Sequence, residues 1–240
     1  MSAEVLIIGG GIAGRTAAVF TARHGLETRI IDAGASILRR NAHLENFPGF
    51  PAGVNARLLL DLLDEQLEQA GADRTIARVT TLGRTDNGFE VLTDTDERYS
   101  APYVIAATKN EVGYLEDVEG VGIIDRGSMF VETDERGRTA VDGMYAAGRL
   151  AQKPHQAIVC AGHGAEVAVT LLEDHDEPFY HDWVTPEGYF TDRGRDLPPG
   201  CEEIDEGERE SRERHSMQVM QDVFADPHPD EQETHPSLTE

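Results

Sequence analysis

Cysteine is nearly missing from this chain. Cys160 and Cys201 are the only two in 240 residues, they lie far apart, and no CxxC pair occurs, which excludes a disulfide scaffold and a four-cysteine zinc site. Lysine is as scarce: Lys109 and Lys153 are the two, and arginine supplies the rest of the 21 cations. Acidic residues number 45, so the net charge is −24. A field of that sign repels phosphate backbones and anionic bilayers, and neither a nucleic acid nor a membrane is expected as a partner. Long apolar runs are also wanting, since none approaches the ~18 residues that span a bilayer. The opening Met1-Ser2-Ala3-Glu4 lacks the basic stretch of a secretory leader, so the expected location is cytoplasmic. His175 and His181 with nearby Asp do not fall at a ligand spacing, and no metal is expected.

The negative charge is unevenly spread. From Glu173 to Glu240 there are 21 acidic and 5 basic side chains, against 24 and 16 in residues 1–172. The length suits one sizeable core with an appendage. The chain is therefore divided into a folded domain at 1–172 and an acidic C-terminal extension at 173–240, docked up to about residue 200 and disordered at its extreme end. Docking is expected because Phe179, Tyr180, Trp183, Tyr189 and Phe190 are too many aromatics for a solvated linker. Acidity with arginine in place of lysine resembles proteins of salt-loving archaea, where high salt screens self-repulsion.

Apolar patterning indicates an α/β chain. Glu4–Ile8 reads as a buried strand, Ala13–His24 as a helix stopped by Gly25, and Thr28–Ile31 as a second strand, together a βαβ unit. Leu59, Leu62, Leu63 and Leu67 recur at helical spacing between a capping Asn55 and a stop at Gly71. Thr75–Leu82 and Phe89–Thr93 flank Asn87-Gly88, a hairpin dipeptide, and Arg98–Ala101 adds a third antiparallel strand. Tyr103–Ala107 returns to the parallel sheet. Met129–Glu132 and Met144–Ala147 read as short strands, Gln156–Leu172 as a helix, and Ser211–Phe224 as a helix with Met217, Met220, Val223 and Phe224 on one face. The expected fold is Rossmann-like α/β: a central parallel sheet, a small antiparallel β-meander and an acidic tail.

Gly9-Gly10-Gly11-Ile12-Ala13-Gly14 follows the first strand and opens the first helix, the context in which GxGxxG carries meaning. Gly9 makes the turn, Gly11 lets a pyrophosphate approach the backbone, and Gly14 permits close helix packing. The helix amides, from Ile12 and Ala13 onward, face the phosphates. Asp32 ends the second strand, 18 residues after Gly14, where a carboxylate accepts hydrogen bonds from ribose hydroxyls. A dinucleotide is the expected ligand, and the loop alone leaves FAD and NAD both open.

Four further segments resemble the FAD domain of the thioredoxin reductase family. Glu45-Asn46-Phe47-Pro48-Gly49-Phe50 is similar to that family's loop beside the flavin ring, and Val104-Ile105-Ala106-Ala107-Thr108 resembles its strand ending in Ala-Thr-Gly. Thr139–Gly148, with Gly143-Met144-Tyr145-Ala146-Ala147-Gly148, resembles the second FAD motif, and His155-Gln156-Ala157 the start of the helix that points at the flavin pyrimidine. The resemblance covers residues 3–172. It implies FAD as the cofactor, held by Gly9, Gly11, Ile12, Ala13, Gly14, Asp32, Asn46, Thr108, Lys109, Gly148, Arg149, Gln156 and Ala157, and an FAD-dependent oxidoreductase with a homodimer as an option. A helix starting near Gln156 offers N–H groups and a positive dipole to the flavin N1/C2 region, which favours accepting electrons.

The chain departs from that family in two ways. The family carries a complete NADPH domain with a redox-active CxxC after the Ala-Thr-Gly strand, whereas some twenty residues, Lys109–Met129, fill the gap here. A relay from NADPH to thioredoxin is therefore not expected on this chain. Electrons should come from an external donor, whether free NAD(P)H, a dithiol, a reduced ferredoxin or the substrate; the alternative is a non-catalytic FAD-binding or redox-sensing protein. Lys109 stands where the family has Gly, and Arg149 where it has a ribityl-binding Asp. With Lys153 they either neutralise the pyrophosphate or an anionic reduced flavin, or form surface ion pairs. Cys160 lies in an apolar stretch and reads as a small buried hydrophobe, while carboxylates around Cys201 blunt its nucleophilicity. His155 is the best placed of His155, His163, His175 and His181 for proton transfer, or else a polar neighbour of the flavin. No constellation for a nucleophile is present, so catalytic residues stay unassigned.

Overall fold

The computed structural model describes residues 1–175 and 181–238; Phe179 and Tyr180, counted above among the docking aromatics, lie outside them. Two compact units are present, one comprising Met1–Asp174 with the segment from Glu231 onward, the other His175–Asp230. In chain order the first unit runs β1 (Val5–Ile8), α1 (Ile12–Arg23), β2 (Thr28–Asp32), α2 (Ala56–Ala70), β3 (Asp73–Ile76), β4 (Val79–Thr85), β5 (Gly88–Thr93), β6 (Arg98–Ala101), β7 (Tyr103–Ala106), β8 (Ile123–Asp125), β9 (Met129–Val131), β10 (Met144–Ala146) and α3 (Ala157–Asp174).

The expected α/β class is observed. Five parallel strands form the central sheet in the order β10-β7-β1-β2-β3. Side chains alternate between its faces, so Leu6, Ile8, Val104 and Ala106 join Leu82, Phe89, Val91 and Tyr99 of the antiparallel β4-β5-β6 meander in one cluster. Ile7 instead turns toward α1, where a Cβ on Gly14 would lie 3.4 Å from its side chain. Each fully buried Leu or Ile contributes roughly 1.5–3 kcal/mol. The backbones of α1 and α3 nearly touch: a Cβ on Gly164 would sit 2.2 Å from the Ala13 carbonyl oxygen. Helix α2 has the expected ends, with Asn55 Oδ1 accepting from Arg57 N and Leu58 N, and Gly71 at φ +83 closing it.

Three expectations change in this unit. Thr75–Leu82 is not one hairpin strand: β3 ends at Ile76 and pairs in parallel with β2, while β4 begins the meander at Val79. Arg29 and Arg74 reach carboxylates across this edge, Asp73 from Arg29 and Asp32 from Arg74, and fix β3 against β2. The hairpin turn itself is Asp86-Asn87, with Thr85 paired to Gly88; Gly88, at φ +123, opens β5 where a Cβ would meet the Ala101 carbonyl at 2.4 Å. Residues 109–128 are not merely a connector, since Tyr114, Leu115 and Val118 enter the core and β8 pairs with β9.

In the second unit β11 (Trp183–Pro186) pairs in parallel with β12 (Cys201–Ile204), followed by α4 (Glu206–Val223). This pair was not anticipated, and α4 starts five residues before the expected Ser211. Asp205 caps it by accepting from Glu208 N, and Arg209–Glu213, Glu208–Arg212 and Glu210–Arg214 pairs line its surface. The loop between the strands is clasped by one carboxylate: Glu203 accepts from the amides of Gly188, Phe190 and Thr191 and from the Thr191 hydroxyl. Among the described residues no helix is long and apolar enough to cross a membrane.

Candidate dinucleotide site at the carboxyl edge of the sheet

Parallel strands bring their carboxyl ends to one edge, and β1, β2, β7 and β10 there deliver Gly9, Asp32, Thr108 and Gly148. The three motif glycines differ. A Cβ on Gly9 would lie 2.6 Å from the Ala107 carbonyl oxygen, and one on Gly14 only 2.0 Å from the Gly9 carbonyl oxygen, so both are required by the protein's own packing. A Cβ on Gly11 would meet nothing within 4 Å. Gly11 is also the residue preceding α1, its carbonyl taking the first helical hydrogen bond from Arg15 N at 3.0 Å. The amides of the first turn, at Ile12 to Gly14, have no helical acceptor and form an anion-receiving end.

Asp32 is buried, at 3% exposure. Its Oδ2 accepts from Arg74 at 2.7 Å and Arg15 at 3.4 Å, and Oδ1 accepts from Gly34 N at 2.8 Å. Both arginines also bind Asp64, at 2.7 and 2.9 Å, closing a ring of two aspartates and two arginines. The sequence reading missed Arg15, Asp64 and Arg74, which have no shared period and meet only through the fold. It also gave Gly10 no role, yet a Cβ there would lie 2.0 Å from Asp32 Cγ: the carboxylate lies directly over the glycine loop. Oδ1 holds a single hydrogen bond and retains accepting capacity, and Arg15 Nη1 is buried without a partner among the described residues.

On the other half of the edge, Leu44 and Val54 exchange backbone hydrogen bonds at 2.8 and 2.9 Å and pinch the loop between them. Arg57 steadies the approach to this loop by donating to the Asn41 carbonyl at 2.6 Å. The loop presents Asn46, whose Nδ2 donates to Gln156 Oε1 at 2.8 Å, just before α3. Two segments separated by 110 residues, both singled out in the sequence, are thus joined. Thr108 is turned into its own loop, donating to the Glu111 carbonyl and sharing a hydrogen bond with Tyr114. Gly148, at φ +65, packs on Ala13, where a Cβ would be 2.7 Å from the Ala13 Cβ. Its N–H donates to His163 Nδ1 at 2.9 Å. The ring proton of a neutral His163 then sits on Nε2, which is buried and unpartnered among the described residues. Burial, and secondarily the charge of Lys153, lowers its pKa to about 4.

Lys109 adopts φ +64, a left-handed conformation costing a non-glycine residue about 1–2 kcal/mol. Arg149 lies with its guanidinium 4.7 Å from the Phe130 ring centre and donates to the Lys153 carbonyl at 3.3 Å. Burial, then the charges of Lys109 and Arg149, holds the exposed His155 below its ordinary pKa. Cys160 is buried, its thiol pushed up by burial, with Sγ 3.5 Å from the Pro154 carbonyl oxygen. His163 lies inside α3 beneath Gly148, while His175 and His181 belong to the second unit.

Residues 4–41 match the FAD binding domain family. The thioredoxin reductase of Treponema pallidum is 33% identical over 111 residues, 45% of this chain and 36% of that protein. The bifunctional thioredoxin reductase/thioredoxin of Mycobacterium leprae is 34% identical over 116 residues, 47% of this chain and 25% of that protein. The chain thus spans about a quarter to two fifths of the length of the curated relatives it matches. Among solved structures, the thioredoxin reductase of Streptococcus pyogenes superposes with TM-score 0.65 at 18% identity, covering 72% of this chain and 99% of that one. That of Gloeobacter violaceus gives 0.64 at 18%, covering 75% and 99%. These matches indicate FAD as the cofactor, and the first unit has the thioredoxin reductase-like, Rossmann-type fold.

Proposed function

We propose that this chain is an FAD-dependent oxidoreductase that takes its electrons from a diffusible donor or from the substrate. The observation that carries the reading is the contrast among the motif glycines: Gly9 and Gly14 are filled by the protein, whereas Gly11, at the amino end of α1, borders open space. That space with the first-turn amides fits a diphosphate. Asp32 would take the ribose hydroxyls through Oδ1, with the ring of Arg15, Asp64 and Arg74 fixing its carboxylate. Asn46, Gln156 and Ala157 would hold the flavin side, and His163 would keep the Gly148 turn in place. Bound FAD supplies a ring that accepts and releases two electrons. The residues of this chain would do the rest: they would bind and orient it. No second glycine loop and no CxxC interrupts residues 109–128, which supports a donor that arrives from solution.

The absorbance spectrum of the purified protein, alone and after incubation with FAD, tests the cofactor. A flavin band is expected, bleached by free NAD(P)H, a dithiol or a reduced ferredoxin. Gly11→Val should keep the fold and lose at least about tenfold in FAD affinity, because its side chain occupies the space of the diphosphate. Equal affinity in that variant, or a colourless wild type that takes up no FAD, overturns the reading.

A further inference from the structure

Three cations stand together where the acidic chain has no carboxylate to match them. Lys109 follows β7 and Arg149 follows β10 at the same sheet edge, and Arg149 donates to the backbone of Lys153. Strands β7 and β10 are direct neighbours, Ala106 opposite Ala146, so Lys109 and Arg149, three residues beyond each, follow adjacent strand ends. Among the described residues none of the three forms an ion pair, although Arg15, Arg29, Arg74, Arg98, Arg136 and Arg138 all do. The reading of these residues as surface ion pairs is therefore set aside.

Their position narrows what they serve. The sheet order β10-β7-β1-β2 sets the ribose acceptor on β2 and the diphosphate loop after β1. Lys109 and Arg149 lie beyond that loop, at the ends of β7 and β10, on the side of Asn46 and Gln156. A diphosphate received by α1 does not require them. Arg149 is held in place, stacked on Phe130 and bonded to a carbonyl, and a stacked guanidinium keeps free N–H groups in its plane for a planar anion. Lys109 reaches the same place from a left-handed backbone position that L side chains rarely adopt, and such strain persists where surroundings or function demand it.

We propose that Lys109 and Arg149, supported by Lys153, form a subsite for the anionic group of the small molecule that exchanges electrons at this site, so that the substrate is a carboxylate, sulfonate or phosphate compound. The subsite rests on the FAD reading above.

The test uses FAD-loaded protein at constant total KCl, titrated with benzoate, with inorganic phosphate and with the uncharged benzamide, while the flavin absorbance is followed. FAD affinity is measured in parallel by calorimetry for wild type, Lys109→Gln, Arg149→Gln and the backbone-relaxing Lys109→Gly. Benzoate or phosphate should perturb the spectrum saturably and benzamide should not, and each substitution should weaken the anion about tenfold or more while FAD affinity moves less than about twofold. Equal responses to benzoate and benzamide overturn the subsite and leave the FAD reading standing. A parallel loss of FAD affinity in the variants also overturns it, by giving these cations to the cofactor. A wild type that takes up no FAD removes the reading beneath it, and the subsite with it.

Discussion

The two units are held together by different means. In residues 1–174 the central strands are sealed: Val5, Leu6, Ile7, Ile30, Val104, Ile105 and Ala106 are wholly buried, and backbones meet at Gly14 and Gly164 where no side chain fits. Among the described residues of 175–230, only Thr185 and Phe190 are buried. That unit carries 16 acidic against 5 basic side chains. It relies instead on the carboxylate clasp of Glu203, on edge contacts among Trp183, Tyr189 and Phe190, on Arg193 over Tyr189 at 4.3 Å, and on exposed ion pairs along α4. Apolar packing depends on fit and little on solvent conditions; exposed pairs are worth a few tenths of a kcal/mol each and respond to salt and pH. A stable core and a condition-dependent appendage are thus built into one chain.

Trp183 is the sole tryptophan and lies in the second unit, so its fluorescence follows that unit while far-ultraviolet circular dichroism is dominated by the first. The largest effect is expected from Gly164→Ala. Its Cβ would fall 2.2 Å from the Ala13 carbonyl oxygen, and forcing the helices apart should cost about 3 kcal/mol, lowering the dichroism midpoint in urea and leaving the Trp183 transition in place. Coincident shifts of both signals would erase the distinction between the units.

His163 comes next. Its pKa in the fold is about 4, down from 6.5, so the unfolded chain takes up a proton in that interval which the folded chain refuses. Stability is full above pH 6.5 and falls as the pH drops toward 4, by on the order of 2 kcal/mol. Dichroism-monitored denaturation at pH 7 and pH 4.5 should show this loss in wild type and not in His163→Gln. A smaller effect follows from salt. Lowering KCl from molar to 0.1 M should destabilise the second unit by on the order of 1 kcal/mol, roughly 4–8 °C in the Trp183 transition, and shift the dichroism midpoint less. A Trp183 midpoint indifferent to salt would remove the resemblance to salt-adapted proteins.

The mildest concerns Glu203, whose carboxyl is held down to about 2 by the Phe190 amide first, then by the Thr191 hydroxyl and the amides of Thr191 and Gly188. Its contribution is present above the ordinary value of 4.5 and is lost as the pH falls from there toward 2. Glu203→Gln should flatten the acid limb of the Trp183 transition over that interval. An unchanged limb would show that the clasp adds nothing to the loop it binds.

The βαβ start and the glycine loop were legible in the sequence because their information is local: a short apolar strand, a glycine spacing, a helix stop. Strand β3 was not, because Ala77-Arg78 offers no turn signal between it and β4, and its place is decided by Arg29 and Arg74 reaching across the edge. The early start of α4 was hidden because Glu206–Glu210 has no apolar residue to mark a period. At the site, Gly11, Asn46 and Gln156 were each singled out by motifs, and the contact that joins Asn46 to Gln156 came only with the fold. The charged ring around Asp32 was not legible either, since side-chain pairs between residues 10 to 49 apart leave no periodic trace. The glycine at position 10 escaped because its constraint is a carboxylate from another strand.

Ala13 is gripped from two directions, by Gly148 ahead of α3 and by Gly164 within it. Seen in time rather than space, that grip leaves the loop at Gly9–Gly14 unfinished long after its own residues have been made. Some 150 residues must emerge before Gly164 can close on Ala13 and β10 can take its place at the sheet edge. Contacts so distant along the chain form slowly, and the nascent loop waits unfinished while its own strand and helix already stand. A diphosphate offered to the loop early would meet half a cradle, so the proposed cofactor would load only once α3 has closed on α1.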